Sequence, residues 1–107
     1  MRVRPAAILG AMVDTDGGTV AVELRVTGHV QGVSFRAFAE REARGLGLVG
    51  WVRNEPDGAV ALHVEGPRDA VDAMTTWCRD GSPAARVHDV VVREVDPQGG
   101  RTFDLRY

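Results

Sequence analysis

The chain has no lysine: all 13 of its basic side chains are arginine. This excludes a Schiff-base lysine, the phosphate loop that ends in Lys-Ser or Lys-Thr, and any step that needs an amine of adjustable pKa, because a guanidinium stays protonated in proteins. Cation chemistry here is arginine chemistry. The single cysteine, Cys78, cannot form an intramolecular disulfide, and it shares no zinc-like spacing with the scattered histidines His29, His63 and His88. A reducing, cytoplasmic setting fits. Aromatic residues are few, with two tryptophans, one tyrosine and three phenylalanines.

Neither sign of charge dominates. Fifteen acids against 13 arginines give a net charge of −2, without long runs of either, so nucleic-acid binding is disfavoured. Long hydrophobic runs are absent too. Arg2 and Arg4 precede the apolar stretch Pro5 to Val13, which is too short to span a membrane and is followed by no small-residue cleavage site before Asp14. Residues 1–18 are therefore expected to be a disordered leader rather than a signal peptide, and Met12 is an alternative start.

What remains is the composition of one globular domain: 107 residues, 44% hydrophobic and 26% charged. From Thr19, the residues Val20, Val22, Leu24 and Val26 alternate against Ala21, Glu23, Arg25 and Thr27, the pattern of a half-buried strand. After the loop Gly28 to Val33 the period becomes helical, through Phe35, Phe38, Ala39 and Leu46, with Ser34 as the predicted N-cap and Gly45 and Gly47 at the far end. Leu48 to Asn54 and Ala59 to Glu65 read as strands joined by the turn Glu55-Pro-Asp-Gly58, an antiparallel hairpin. Pro67 opens a second helix with the stripe Ala70, Val71, Met74, Trp77 and Cys78, stopped by Gly81. Strands over Arg86 to Val95 and Arg101 to Tyr107 complete the chain.

The order βαββαβ plus a short terminal strand predicts an α+β, ferredoxin-like α/β sandwich, with both helices on one face of an antiparallel sheet and the domain spanning residues 19–107. That architecture hosts unrelated functions, so the site must decide. The segment Gly28-His29-Val30-Gln31-Gly32-Val33-Ser34-Phe35-Arg36 runs from a strand end through two glycines into a helix start. Glycines let successive backbone N–H groups turn inward as an anion nest beside the positive end of the helix dipole. Arg36, in the first turn, can close over a phosphate with its planar fork. The plainer alternative is a tight connection with Arg36 paired to Glu40 on a solvated face. Asn54, at a strand end, can donate to a phosphoryl oxygen or position a water, or simply bond its own backbone in the turn.

Gly28-x-Val30-Gln31-Gly32-Val33-x-Phe35-Arg36, followed by Gly50-Trp51-Val52-x-Asn54 and Asp57-Gly58-x-Val60, resembles the acylphosphatase family over about residues 19–107. The resemblance implies a small metal-free hydrolase, without cofactor, that cleaves acyl phosphates to a carboxylate and inorganic phosphate. It implies that the backbone amides of His29, Val30, Gln31, Gly32 and Val33 hold the phosphate together with Arg36, and that Asn54 orients the attacking water. The expected partner is a small-molecule acyl phosphate, with no nucleic acid and no membrane, bound by a monomer. The alternatives are a non-catalytic ferredoxin-like module that binds a phosphorylated ligand and a carbamoyl-phosphate-handling domain. His29 is a further candidate for proton transfer, His63 and His88 read as surface or sheet-face residues, and Cys78 as a buried hydrophobe. Trp51 reads as a packing residue that, lying near Asn54, can line the acyl side of a substrate.

Overall fold

The computed structural model describes residues 18–107, so the leader expected over 1–18 lies outside the described residues apart from Gly18. Its elements are β1 (Val20–His29), α1 (Phe35–Gly45), β2 (Val49–Asn54), β3 (Val60–Gly66), α2 (Arg68–Asp80), β4 (Arg86–Val95) and β5 (Phe103–Arg106). One five-stranded sheet has the order β4-β1-β3-β2-β5. Both helices lie on one face, as the ferredoxin-like reading expects.

The first four strands pair antiparallel, and β5 joins β2 in parallel. The chain's path dictates that direction. Val95, at the end of β4, pairs with Ala21 at the start of β1, and Val49, at the start of β2, pairs with Glu65 at the end of β3. The chain therefore leaves β4 at the end of the sheet where β2 begins, crosses there, and enters β5 running alongside β2.

The alternation read in the sequence builds the core. Val22, Leu24, Val26, Val52, Val60, Leu62, Val64 and Phe103 face Phe35, Ala39 and Ala43 of α1 and Val71, Met74 and Cys78 of α2, all buried. Phe35 and Trp77 tie the two helices together, with ring centroids 5.3 Å apart. Cys78 is enclosed on this stripe, and loss of hydration pushes its thiol pKa up to about 12. It stays a neutral small hydrophobe.

The opposite face of the sheet departs from expectation. His63 lies on that face as its alternation requires, yet it is only 1% exposed. Trp51 stacks on its ring at 6.0 Å, and its Nε2 sits 2.6 Å from Glu65 Oε2. Glu65 also accepts N–H bonds from Gln98 (2.5 Å) and Gly99 (3.1 Å), in the segment that crosses from β4 to β5. That crossing and the Trp51 indole cover what strand alternation alone marks as solvent-facing. His88 is exposed.

Candidate active site

The strand directions bring four chain ends to one end of the sheet. Val26 of β1 pairs with Val60 at the start of β3, Asn54 at the end of β2 pairs with the same Val60, and Arg53 pairs with Arg106 at the end of β5. The β1–α1 loop, the tip of β2 and the last residues of the chain thus converge. They surround a hollow of about 310 Å3 lined by Val30, Gly32, Ser34, Phe35, Arg36 and Ala37 on one side and Asn54, Leu105 and Tyr107 on the other.

The loop has the backbone the glycines promise. Gly28 sits at a bulge with φ +125°, where a Cβ would stand 2.2 Å from the Arg86 carbonyl oxygen and 2.6 Å from the His88 nitrogen, so only glycine fits. Gly32 has φ +75° with open space about it. Ser34, predicted to cap α1, adopts φ 61° and ψ 22° and makes no side-chain cap bond. A capping side chain needs an extended backbone to reach back to the second or third amide; in the left-handed region Ser34 is turned away. The Phe38 N–H bonds the Ser34 carbonyl at 3.1 Å. The amides of Phe35, Arg36 and Ala37 precede that bond and have no acceptor within the helix. They form the positive end of α1 at the hollow.

Two side chains, one from outside and one of its own, anchor this loop. Ser82, buried after α2, donates to the Val33 carbonyl at 3.4 Å. Gln31 turns its amide away from the hollow and donates to the carbonyls of Glu55 and Ala59, both at 2.8 Å.

Of the residues singled out in the sequence, Val30, Gly32, Arg36 and Asn54 line one hollow. Val33 packs against the core, Gln31 points at the β2–β3 turn, and His29, exposed at the end of β1 opposite Arg86, lies outside the lining. Arg36 is not paired with Glu40, which bonds Arg44 at 3.1 Å instead. Its Nη1 donates to the Arg106 carbonyl at 2.6 Å, and its guanidinium carbon lies 4.8 Å from the Tyr107 ring centre.

Trp51 is a packing residue, as expected, but it does not line the hollow beside Asn54. Asn54 lies three positions further along the strand, an odd offset, so the pleat sends the two to opposite faces. Trp51 packs on the outer face between the guanidiniums of Arg53 (4.5 Å) and Arg106 (5.1 Å). The walls that sequence reasoning missed are Leu105 and Tyr107. Their alternation with buried Phe103 was visible, but the parallel pairing that carries them to Asn54 was not.

Among the described residues, no group of three or more His, Cys, Asp or Glu is arranged to hold a metal ion, and no helix is long and apolar enough to cross a membrane. Fold and site together define a ferredoxin-like α+β domain with a hollow at which a glycine loop, a helix N-terminus and one guanidinium meet. The acylphosphatase family model matches residues 22–105. An acylphosphatase from a Nocardioides species is 58% identical over 86 residues, covering 80% of this chain and 87% of that protein. One from Anaeromyxobacter dehalogenans is 52% identical, covering 82% and 96%. The crystal structure of acylphosphatase from Bacillus subtilis superimposes with a TM-score of 0.80 at 37% identity, covering 82% of this chain and 99% of that one. The chain belongs to the acylphosphatase family, and so to the hydrolases.

Proposed function

We propose that residues 19–107 hydrolyse small acyl phosphates to a carboxylate and inorganic phosphate, as a cytoplasmic monomer that uses no metal or other cofactor. The observation that carries this reading is the convergence of the glycine loop, the Arg36 guanidinium and the Asn54 amide on one hollow. The phosphoryl group sits in the cradle formed by the loop about Val30 and Gly32, which line the hollow, and the first turn of α1. With Nη1 engaged by Arg106, the remaining N–H groups of Arg36 serve the phosphoryl oxygens. Asn54 holds the water in line, its side-chain carbonyl oxygen accepting a hydrogen bond from the water. Leu105 and Tyr107 offer the acyl side an apolar wall.

Water attacks phosphorus, the new P–O bond forms as the bond to the acyl oxygen breaks, and the departing group is a carboxylate. Charge spreads over the equatorial oxygens, where donors already in place stabilise it. A carboxylate leaves without a strong general acid, and the water proton passes to an oxygen of the substrate's own phosphate. No base of the enzyme is required, so the rate should show no essential enzyme ionisation near neutrality.

Hydrolysis of benzoyl phosphate in the presence of a chelator tests the reading, comparing the parent with Arg36→Ala and Asn54→Ala. Each substitution should lower kcat/KM at least about 100-fold, the scale of removing one preorganised donor. Parent-level activity in either variant removes the role given to that residue. An inactive parent that still binds phosphate would identify a non-catalytic binding module.

A further inference from the structure

We propose that the Gln31 side chain is a positioning residue for Asn54: by clamping the β2–β3 turn to the phosphate loop, it sets the distance between the held phosphoryl group and the attacking water. This rests on the reading of Asn54 as the water-orienting group.

Gln31 occupies the middle of the loop, and its Nε2 donates both its hydrogens outward, to Glu55 O and Ala59 O at 2.8 Å each. Those carbonyls are the two ends of the turn. Glu55 directly follows Asn54, and Ala59 directly precedes Val60, the ladder partner of Asn54. One amide therefore grips both arms of the hairpin on the turn side of the Asn54–Val60 pair.

The turn does not need this grip to close. The Glu55 N–H already bonds Ala59 O at 2.8 Å, the Gly58 N–H bonds Glu55 O at 3.1 Å, and the Ala59 N–H bonds the Asp57 carboxylate at 3.1 Å. What Gln31 adds is a link from the loop itself, since the ion pair of Arg25 with Asp57 ties the turn to β1 but not to the loop. Strand β2 pairs with β3 and β5, not with β1, so the ladder connects the loop after β1 to Asn54 only by way of β3. The Gln31 amide crosses that gap directly. Gln31 sits in the chain between Val30 and Gly32, which line the hollow, and its side chain holds the water-orienting turn. Seating of the phosphate and placement of Asn54 are thereby coupled, and a displacement of about 1 Å at such a contact can cost about 100-fold in rate.

The test is a double-mutant cycle on kcat with benzoyl phosphate, together with inorganic phosphate as a competitive inhibitor. Gln31→Met keeps the length of the side chain and removes both donors. It should lower kcat about 10-fold while the phosphate inhibition constant moves less than about twofold. In an Asn54→Ala background the same substitution should cost less than about twofold, because the group it positions is gone. Equal losses in both backgrounds, or a phosphate constant that weakens in step with kcat, overturn the proposal. An Asn54→Ala variant with parent activity overturns the reading of the site itself.

Gln31→Glu gives a second readout should Gln31→Met fail to fold. Its ionised carboxylate opposes two carbonyl oxygens, whereas its protonated form returns one donor. The kcat deficit relative to the parent should therefore be smaller at about pH 5 than at about pH 8. A deficit that is the same at both pH values overturns the proposal.

Discussion

The guanidinium of Arg36 donates to the backbone carbonyl of Arg106 at 2.6 Å, so the cation at the hollow is fixed by the last strand of the sheet rather than by a carboxylate of its own helix. A partner carboxylate would neutralise the charge that an anionic substrate needs. A carbonyl holds the group in place and leaves its charge free. On the proposed reading, this is how a chain of net charge −2 offers an anion a local positive charge. Thirteen arginines are distributed over the chain, and Arg36 is the one whose guanidinium lines the hollow among the described residues.

Fork geometry then matters more than charge. Arg36→Lys keeps the cation but replaces five fixed donors by a compact ammonium, which cannot hold the Arg106 carbonyl and also offer parallel bonds to two phosphoryl oxygens. It should lose about 100-fold in kcat/KM, close to Arg36→Ala, with an unchanged thermal unfolding midpoint. Steady-state kinetics beside thermal melts decide the matter. A lysine variant within about threefold of the parent would show that charge alone suffices.

The sequence made both helices and the inner strands legible because each buries one face, and burial writes its period into the chain; β4 has no fully buried residue. Val22, Leu24 and Val26, or Val60, Leu62 and Val64, announce their inner face two residues at a time, and the structure buries all six. The glycine loop was legible because positive φ selects glycine, as Gly28 and Gly32 show. Alternation says nothing, however, about what covers the outer face, and so His63 read as a surface or sheet-face residue, with no sign that Trp51 and the pair with Glu65 enclose it there. Ser34 misled for a related reason. Its residue type favours a cap, but the loop's turn forces it into a left-handed backbone where its hydroxyl cannot reach the helix amides. Contacts made across the sheet, such as Arg36 to Arg106 or Gln31 to Glu55, leave no trace in local pattern.

Tyr107 offers a sharper case of separation between stability and activity. It is 99% exposed, yet its ring faces the Arg36 guanidinium at 4.8 Å. An exposed cation–π contact is worth about 0.5–1 kcal/mol. Tyr107→Ala should accordingly lower kcat/KM about two- to fivefold and leave the melting temperature unchanged, since the residue buries almost nothing. Full activity in that variant would mean that the Arg106 carbonyl alone holds the guanidinium.

Glu65 lies at the other end of the sheet, and there pH enters. Burial raises its pKa, but the N–H bond from Gln98, the bond to His63 and the N–H bond from Gly99 together outweigh burial and hold it below the ordinary value of 4.5. A carboxyl whose folded pKa is depressed takes up its proton first in the unfolded chain. Its contribution is therefore complete above about pH 4.5 and is lost as pH falls through the folded value. Glu65→Gln keeps the shape but not the charge, leaving the Gln98 and Gly99 amides with a weaker acceptor. At neutral pH it should lower stability by about 1–3 kcal/mol. Below pH 4.5 the parent should approach the variant, because the parent loses by protonation what the variant lacks throughout. Urea denaturation across this range measures the gap, and a gap that stays constant from neutral pH into strong acid would rule out an ionised Glu65 as its source. Turnover at neutral pH should be that of the parent, because Glu65 pairs with Val49 and Ala21, at the end of the sheet remote from Asn54 and the loop.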